Sequence, residues 1–117
     1  MFDENVQVYL KSNVKAVGAI AVIAGYDSEI DIDVRIRLID VVIDSEENIL
    51  NFIESFSIAE RDNFTVNSSL RKLVRINDEI LMNITKLQLQ GYKLDKVIHA
   101  LKLETQNIKS MLFNVSE

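Results

Sequence analysis

One histidine, His99, and no cysteine limit the chemistry open to this chain of 117 residues. A lone imidazole without thiolates cannot assemble a zinc-type cluster. His99 stands between Lys96 and Lys102 in a helical pattern, with no nucleophile that it is placed to activate, so it does not read as a general base. No Gly-rich loop and no Gly-Lys-Ser/Thr is present to cradle phosphates. Asp27, Glu29, Asp31 and Asp33 recur at every second residue, as the first ligands of a calcium loop do. Ile32 and Leu38, however, stand where that loop needs its sharp-turn Gly and its bidentate Glu. These acids read instead as a helix-start cluster favoured by the macrodipole. No catalytic residue, no metal ligand, no cofactor and no enzymatic activity are expected.

The polar side chains best placed to meet a ligand lie near the carboxyl end. Lys93, Lys102, Thr105, Gln106, Asn107, Lys109 and Ser110 fall within Gly91–Phe113. Val97, Leu101, Leu103, Ile108 and Met111 stand where two short crossing helices and their turn need apolar groups. The spacing predicts helices over 94–101 and 105–115, with the outer face of the second carrying Thr105, Gln106, Lys109 and Ser110.

Gly91-Tyr92, Val97, Leu101, Leu103 and Asn107-Ile108-Lys109 together resemble the LuxR/GerE-type helix-turn-helix. That resemblance implies that Lys93, Lys102 and Lys109 meet DNA phosphates. It also implies that Thr105, Gln106 and Ser110 read bases, with Asn107 near the start of the second helix meeting either. The chain departs from the family pattern in Ile98, where a small Ala lets the helices approach, and in Glu104, which replaces the Ser/Thr cap. Phe113 stands where a second basic contact is common, and the upstream Leu-Thr-x-Arg-Glu is missing. Val17–Asp33, an Ala-rich apolar run followed by acids, is similar to the tellurite-resistance TerB family. The Asp-Gly-x-Ile-x-x-x-Glu core through which that family can hold a metal is not met.

The elements that must position these groups are helical. Proline is absent and glycine occurs only at 18, 25 and 91, too few turn residues for a fold of many short strands. Asp3 can cap a first helix over 4–24 that carries Val6, Leu10, Val14, Val17, Ala21 and Ala24 on one face and ends at Gly25. Residues 29–38 alternate apolar and charged side chains and so fit a strand. A helix over 31–43 is favoured, because 38–43 loses the alternation. Asp44-Ser-Glu-Glu47 resembles a capping box opening another helix through Phe56. Residues 57–66 read as the main connection, and Asn67 or Ser68 as the cap of a long helix closed by Gly91. The expected fold is all-α, a single domain over 1–117, built as a bundle of five or six helices with a C-terminal helix-turn-helix-like pair.

Net charge is −5, unevenly divided along the chain. Residues 1–66 carry five basic against thirteen acidic side chains, a net of −8; residues 67–117 carry eight against five, a net of +3. Such asymmetry is expected when one end meets an anionic partner. The expected function is a small DNA-binding transcriptional regulator: the basic half engages duplex DNA while the acidic half forms a homodimer or docks a protein. The alternative is a non-enzymatic acidic helical adaptor acting by protein contacts, of an immunity, anti-defence or stress-response type. Nothing at the N-terminus resembles a signal peptide, and the uncharged apolar stretch 16–26 falls short of the ~20 residues of a membrane span. With no cysteine, these features favour a soluble, cytoplasmic protein.

Overall fold

The computed structural model describes residues 3–26 and 29–112. Five helices follow one another: α1 (Glu4–Tyr26), α2 (Ile32–Glu54), α3 (Ile58–Arg61), α4 (Phe64–Leu89) and α5 (Asp95–Ser110). Among the described residues there is no strand. The chain is an all-α bundle.

Local side-chain signals start α1, α3 and α4. The Asp3 carboxylate accepts from the Val6 amide at 3.0 Å and so caps α1. Ser57 and Glu60 form a reciprocal capping box at α3, and the Asn63 side chain accepts from the Thr65 amide to start α4. Gly91, at φ 110°, turns the chain after α4 in a conformation that L side chains rarely adopt.

α1 and α2 form one antiparallel hairpin, α4 and α5 a second, and α3 lies on the link between them. Each helix of one hairpin packs on a helix of the other, α1 on α4 and α2 on α5. α1 and α4 run parallel: Gln7 meets Thr65 through a 3.0 Å side-chain hydrogen bond, and Gly18 and Gly25 lie against Ile76 and Ile80 further along. The core is aliphatic, with Leu10, Ile39, Ile53, Leu70, Leu73 and Leu101 among its fully buried side chains. At 23 residues α1 is long and apolar enough to cross a membrane, but its Leu10–Val14–Val17–Ala21–Ala24 face is committed to this core.

The helix favoured over 31–43 is present within a longer one: the alternating segment 29–38 enters α2 as helix from Ile32. Its period-two pattern yields because Arg35 turns inward, donating from Nε to the Ala24 carbonyl and from Nη2 to that of Gly25, both at 2.8 Å. The guanidinium thereby satisfies the open carboxyl end of α1. Gly25 does not end α1 by a left-handed turn. It lies inside the helix, buried, where Asn83 and Ile80 of α4 pass close by.

Asp44-Ser-Glu-Glu47 starts no helix, because Val42, Ile43, Glu46 and Ile49 extend one buried face straight through α2. Finally, the predicted pair of short C-terminal helices is a single helix. No Gly or Pro interrupts 95–110, and Val97, Leu101, Glu104, Thr105 and Ile108 make one continuous buried stripe. The part of the expected second helix beyond Leu112, with Phe113, lies outside the described residues.

Candidate functional site

The residues expected to read DNA are not brought to one surface. Thr105 is buried, its hydroxyl donating to the Leu101 carbonyl at 2.7 Å. Leu103, expected inside a turn, is exposed on α5. Lys93 lies in the α4–α5 connection, and Lys102, Gln106 and Lys109 are exposed along α5. Lys109 borders a shallow recess with Arg71, Val74 and Leu112, against α4. Asn107 and Ser110 instead line a groove on the α2 side together with Glu47, Glu54 and Glu104. A phosphate path cannot run through three carboxylates without repulsion.

A better-formed site lies between α1 and α4, a groove of about 510 Å³. Lys11 and Lys15 of α1 face Lys72 and Arg75 of α4 across it, with Glu79 the one acid among its lining residues. Thr65, Ser68 and Ser69 add hydroxyls near the start of α4, and Val14, Gly18 and Ile76 give an apolar floor. The positive end of the α4 dipole lies at the same end of the groove. Among the described residues none of the four cations is held by an ion pair or a side-chain hydrogen bond. Four unpaired cations over an apolar, hydroxyl-bearing floor make a receptor for an anionic group carrying some hydrocarbon.

Sequence reasoning placed Lys11 and Lys15 in the acidic half and passed over them. The available signal was local: from Asn5 to Tyr26 there is no acid at all, and from Phe64 to Asn77 α4 carries Arg71, Lys72 and Arg75 with none. Parallel packing of α1 on α4 then adds the two acid-free stretches together.

The interior holds a second polar group, made by α2, α4 and α5. Glu46 is fully buried and its Oε1 accepts from Asn77 Nδ2 at 3.0 Å. Glu46 Oε2, Asn77 Oδ1 and Glu104 Oε2 are buried without a partner. All three are acceptors while the carboxyls are ionised, so a donor is missing, and a proton on Glu46 supplies it. Burial pushes the Glu46 carboxyl up to about 8, against the hydrogen bond from Asn77 and with help from the Glu104 charge. Burial also raises Glu104 to about 7, aided by Glu47 and Asp44 and opposed by a hydrogen bond with Asn107.

No group of three or more His, Asp or Glu side chains is placed to hold a metal among the described residues. Asp27, the first acid of the TerB-like stretch, lies outside them. Fold and site together define an all-α helical bundle with a cationic groove between two parallel helices. Residues 3–106 match the PaRep2b protein family. The match takes in most of the chain, which belongs to that family. The resemblances to LuxR/GerE and to TerB are overturned by this match and, for the first, by the unbroken α5. No curated protein matches the chain, and no solved structure matches it.

Proposed function

We propose that the protein is a non-enzymatic helical adaptor that holds an acidic segment of a protein partner in the α1–α4 groove. The observation that carries this reading is the juxtaposition of Lys11, Lys15, Lys72 and Arg75 over Val14, Gly18 and Ile76 in a chain whose net charge is −5. A concave, partly apolar groove suits an amphipathic acidic helix, which offers hydrocarbon and carboxylates together. A duplex presents its phosphates on a convex surface and has no use for the apolar floor. The resemblance that suggested a DNA reader is withdrawn, and with it the inserted recognition helix.

The test is fluorescence anisotropy with two labelled probes, an amphipathic Glu/Leu-rich peptide and a mixed-sequence DNA duplex, each titrated at several salt concentrations. The peptide binds, its affinity falls as salt rises, and Lys72→Glu with Arg75→Glu weakens it. Two exposed charge reversals are expected to cost about 1–2 kcal/mol, or roughly tenfold in affinity. Duplex binding that is tighter than peptide binding and lost in the same variant assigns the groove to nucleic acid and ends the adaptor reading.

A further inference from the structure

The opposite side of the bundle carries a groove of the other sign, independent of the α1–α4 site. Between the parallel helices α2 and α5 lies a recess of about 410 Å³ whose polar lining is Glu47, Asn51, Glu54, Glu104, Asn107 and Ser110. Leu50 and Met111 complete it with hydrocarbon. Every polar side chain in this lining can offer an oxygen to a donor, and none is a cation. On α2 the positions 47, 51 and 54 fall at i, i+4 and i+7, one stripe along the groove. Glu104 and Asn107 of α5, with Met111 just past its end, fall at i, i+3 and i+7 along the facing side.

Acids on a surface do not by themselves make a site. Here one of them is 3% exposed: Glu104 lines the recess, and its Oε2 is buried with no partner. A buried acceptor left open is costly unless something donates to it. The donors needed do not come from a bare metal ion, since no three acids are grouped to hold one among the described residues. Glu47 and Glu54 stand roughly 10 Å apart along α2, from seven residues of helical rise, so the negative charge is strung out along the groove. A long cation with N–H groups and methylenes matches that layout. Its ammonium or guanidinium heads meet carboxylates, and its hydrocarbon lies on Leu50 and Met111.

We propose that the α2–α5 groove binds an organic cation of the ammonium or guanidinium class, with Glu104 and Glu47 holding one head and Glu54 the other end of the molecule. The groups facing Glu104 are Glu46, Glu47 and Asp44 of α2 and Asn107 of α5. None is a cation, so the entering ligand is the first positive charge at this carboxyl. Binding therefore draws Glu104 into its ionised form and releases its proton.

The experiment is isothermal titration calorimetry on the full chain at pH 6.5, with spermidine, argininamide and a short Arg-rich peptide as probes, each repeated in two buffers of different ionisation enthalpy. Spermidine or argininamide binds with proton release. Glu104→Gln abolishes the release, while Glu54→Gln weakens binding severalfold and leaves the release in place. Tighter binding of the peptide than of either small cation places the cationic heads on a protein partner; the reverse order makes the ligand a free amine. Equal binding by wild type and a Glu47→Gln, Glu54→Gln double variant overturns the proposal. So does displacement of the amines by Mg2+ at matched ionic strength, or proton release that persists in Glu104→Gln. Far-UV circular dichroism checks each variant for folding, and Glu54, exposed on α2, gives a variant whose loss of binding cannot be assigned to core damage.

Discussion

Replacing Glu46 by Gln should make the protein more stable at alkaline pH while changing little at acid pH. The folded state holds the Glu46 carboxyl at about 8 against an ordinary value of 4.5, so over that interval the unfolded chain gives up a proton that the folded one retains. A carboxyl raised in this way leaves stability whole below pH 4.5, drains it as pH climbs to about 8, and costs nothing further above that. At 1.36 kcal/mol for each pH unit, the full loss is about 5 kcal/mol. An ionised carboxylate in the core draws in water and rearranges its neighbours, which brings the realised figure down to about 2–5 kcal/mol.

Gln keeps the shape, retains an oxygen for Asn77 Nδ2, and offers its own N–H donors beside Asn77 Oδ1, which has no partner. Urea unfolding at pH 5 and at pH 8.5 reads the difference directly. The expected result is near-equal stability at pH 5 and an advantage to Glu46→Gln of at least about 2 kcal/mol at pH 8.5. A shallower fall from pH 4.5 to 7 remains in the variant from Glu104, which burial still raises. Parallel stability curves for the two proteins, separated by the same amount at both pH values, would refute the claim that Glu46 is protonated in the folded core.

Three further substitutions test the helix ends. Arg35→Met removes both 2.8 Å hydrogen bonds to the carbonyls at the end of α1 and should cost about 2–3 kcal/mol in urea unfolding. Gly91→Ala places a side chain at φ 110° and should cost about 1 kcal/mol, although no neighbouring atom lies within 4 Å of the added carbon. A thermal melt that rises in this variant refutes the strained-turn account. Ser57→Ala breaks the capping box of α3 and should cost about 1 kcal/mol. Because α3 has no buried residue, that loss should show as faster amide exchange between α2 and α4 and leave the core protected.

Helical class was legible because it depends on patterns that tertiary packing strengthens. The apolar face of α1 and the Asp3 cap could be read from residue spacing, and both stand in the structure. The errors came where a local signal had a competitor that only the folded chain supplies. Asp44-Ser-Glu-Glu47 is a fair helix start in isolation, yet Glu46 is drawn inside by Asn77, thirty-one residues away. The alternation from Glu29 to Leu38, read in favour of helix, is helix from Ile32, and its inward-turned Arg35 finds its acceptors on the preceding helix. Thr105 had the right chemistry for a base contact, but the buried stripe running through Leu101 and Ile108 claims it. The α1–α4 groove was hidden for a different reason: it depends on which helices become neighbours, and periodicity does not report that.

Packing also divides charge differently from the sequence. Along the chain the split falls between residues 1–66 and 67–117, but in space it falls between the α1–α4 side and the α2–α5 side. Lys11 and Lys15 leave the acidic half to join Lys72 and Arg75, while Glu104 leaves the basic half to join Glu47 and Glu54. A partner that read the basic half as a unit would depend on Lys72 and Arg75 and ignore Lys11 and Lys15. One seated in the groove between parallel helices meets all four, so Lys11→Glu with Lys15→Glu should weaken the acidic peptide roughly tenfold, as much as the α4 pair does. The α4 pair alone weakening binding would place the partner on the outer face of that helix and leave the groove out of the contact.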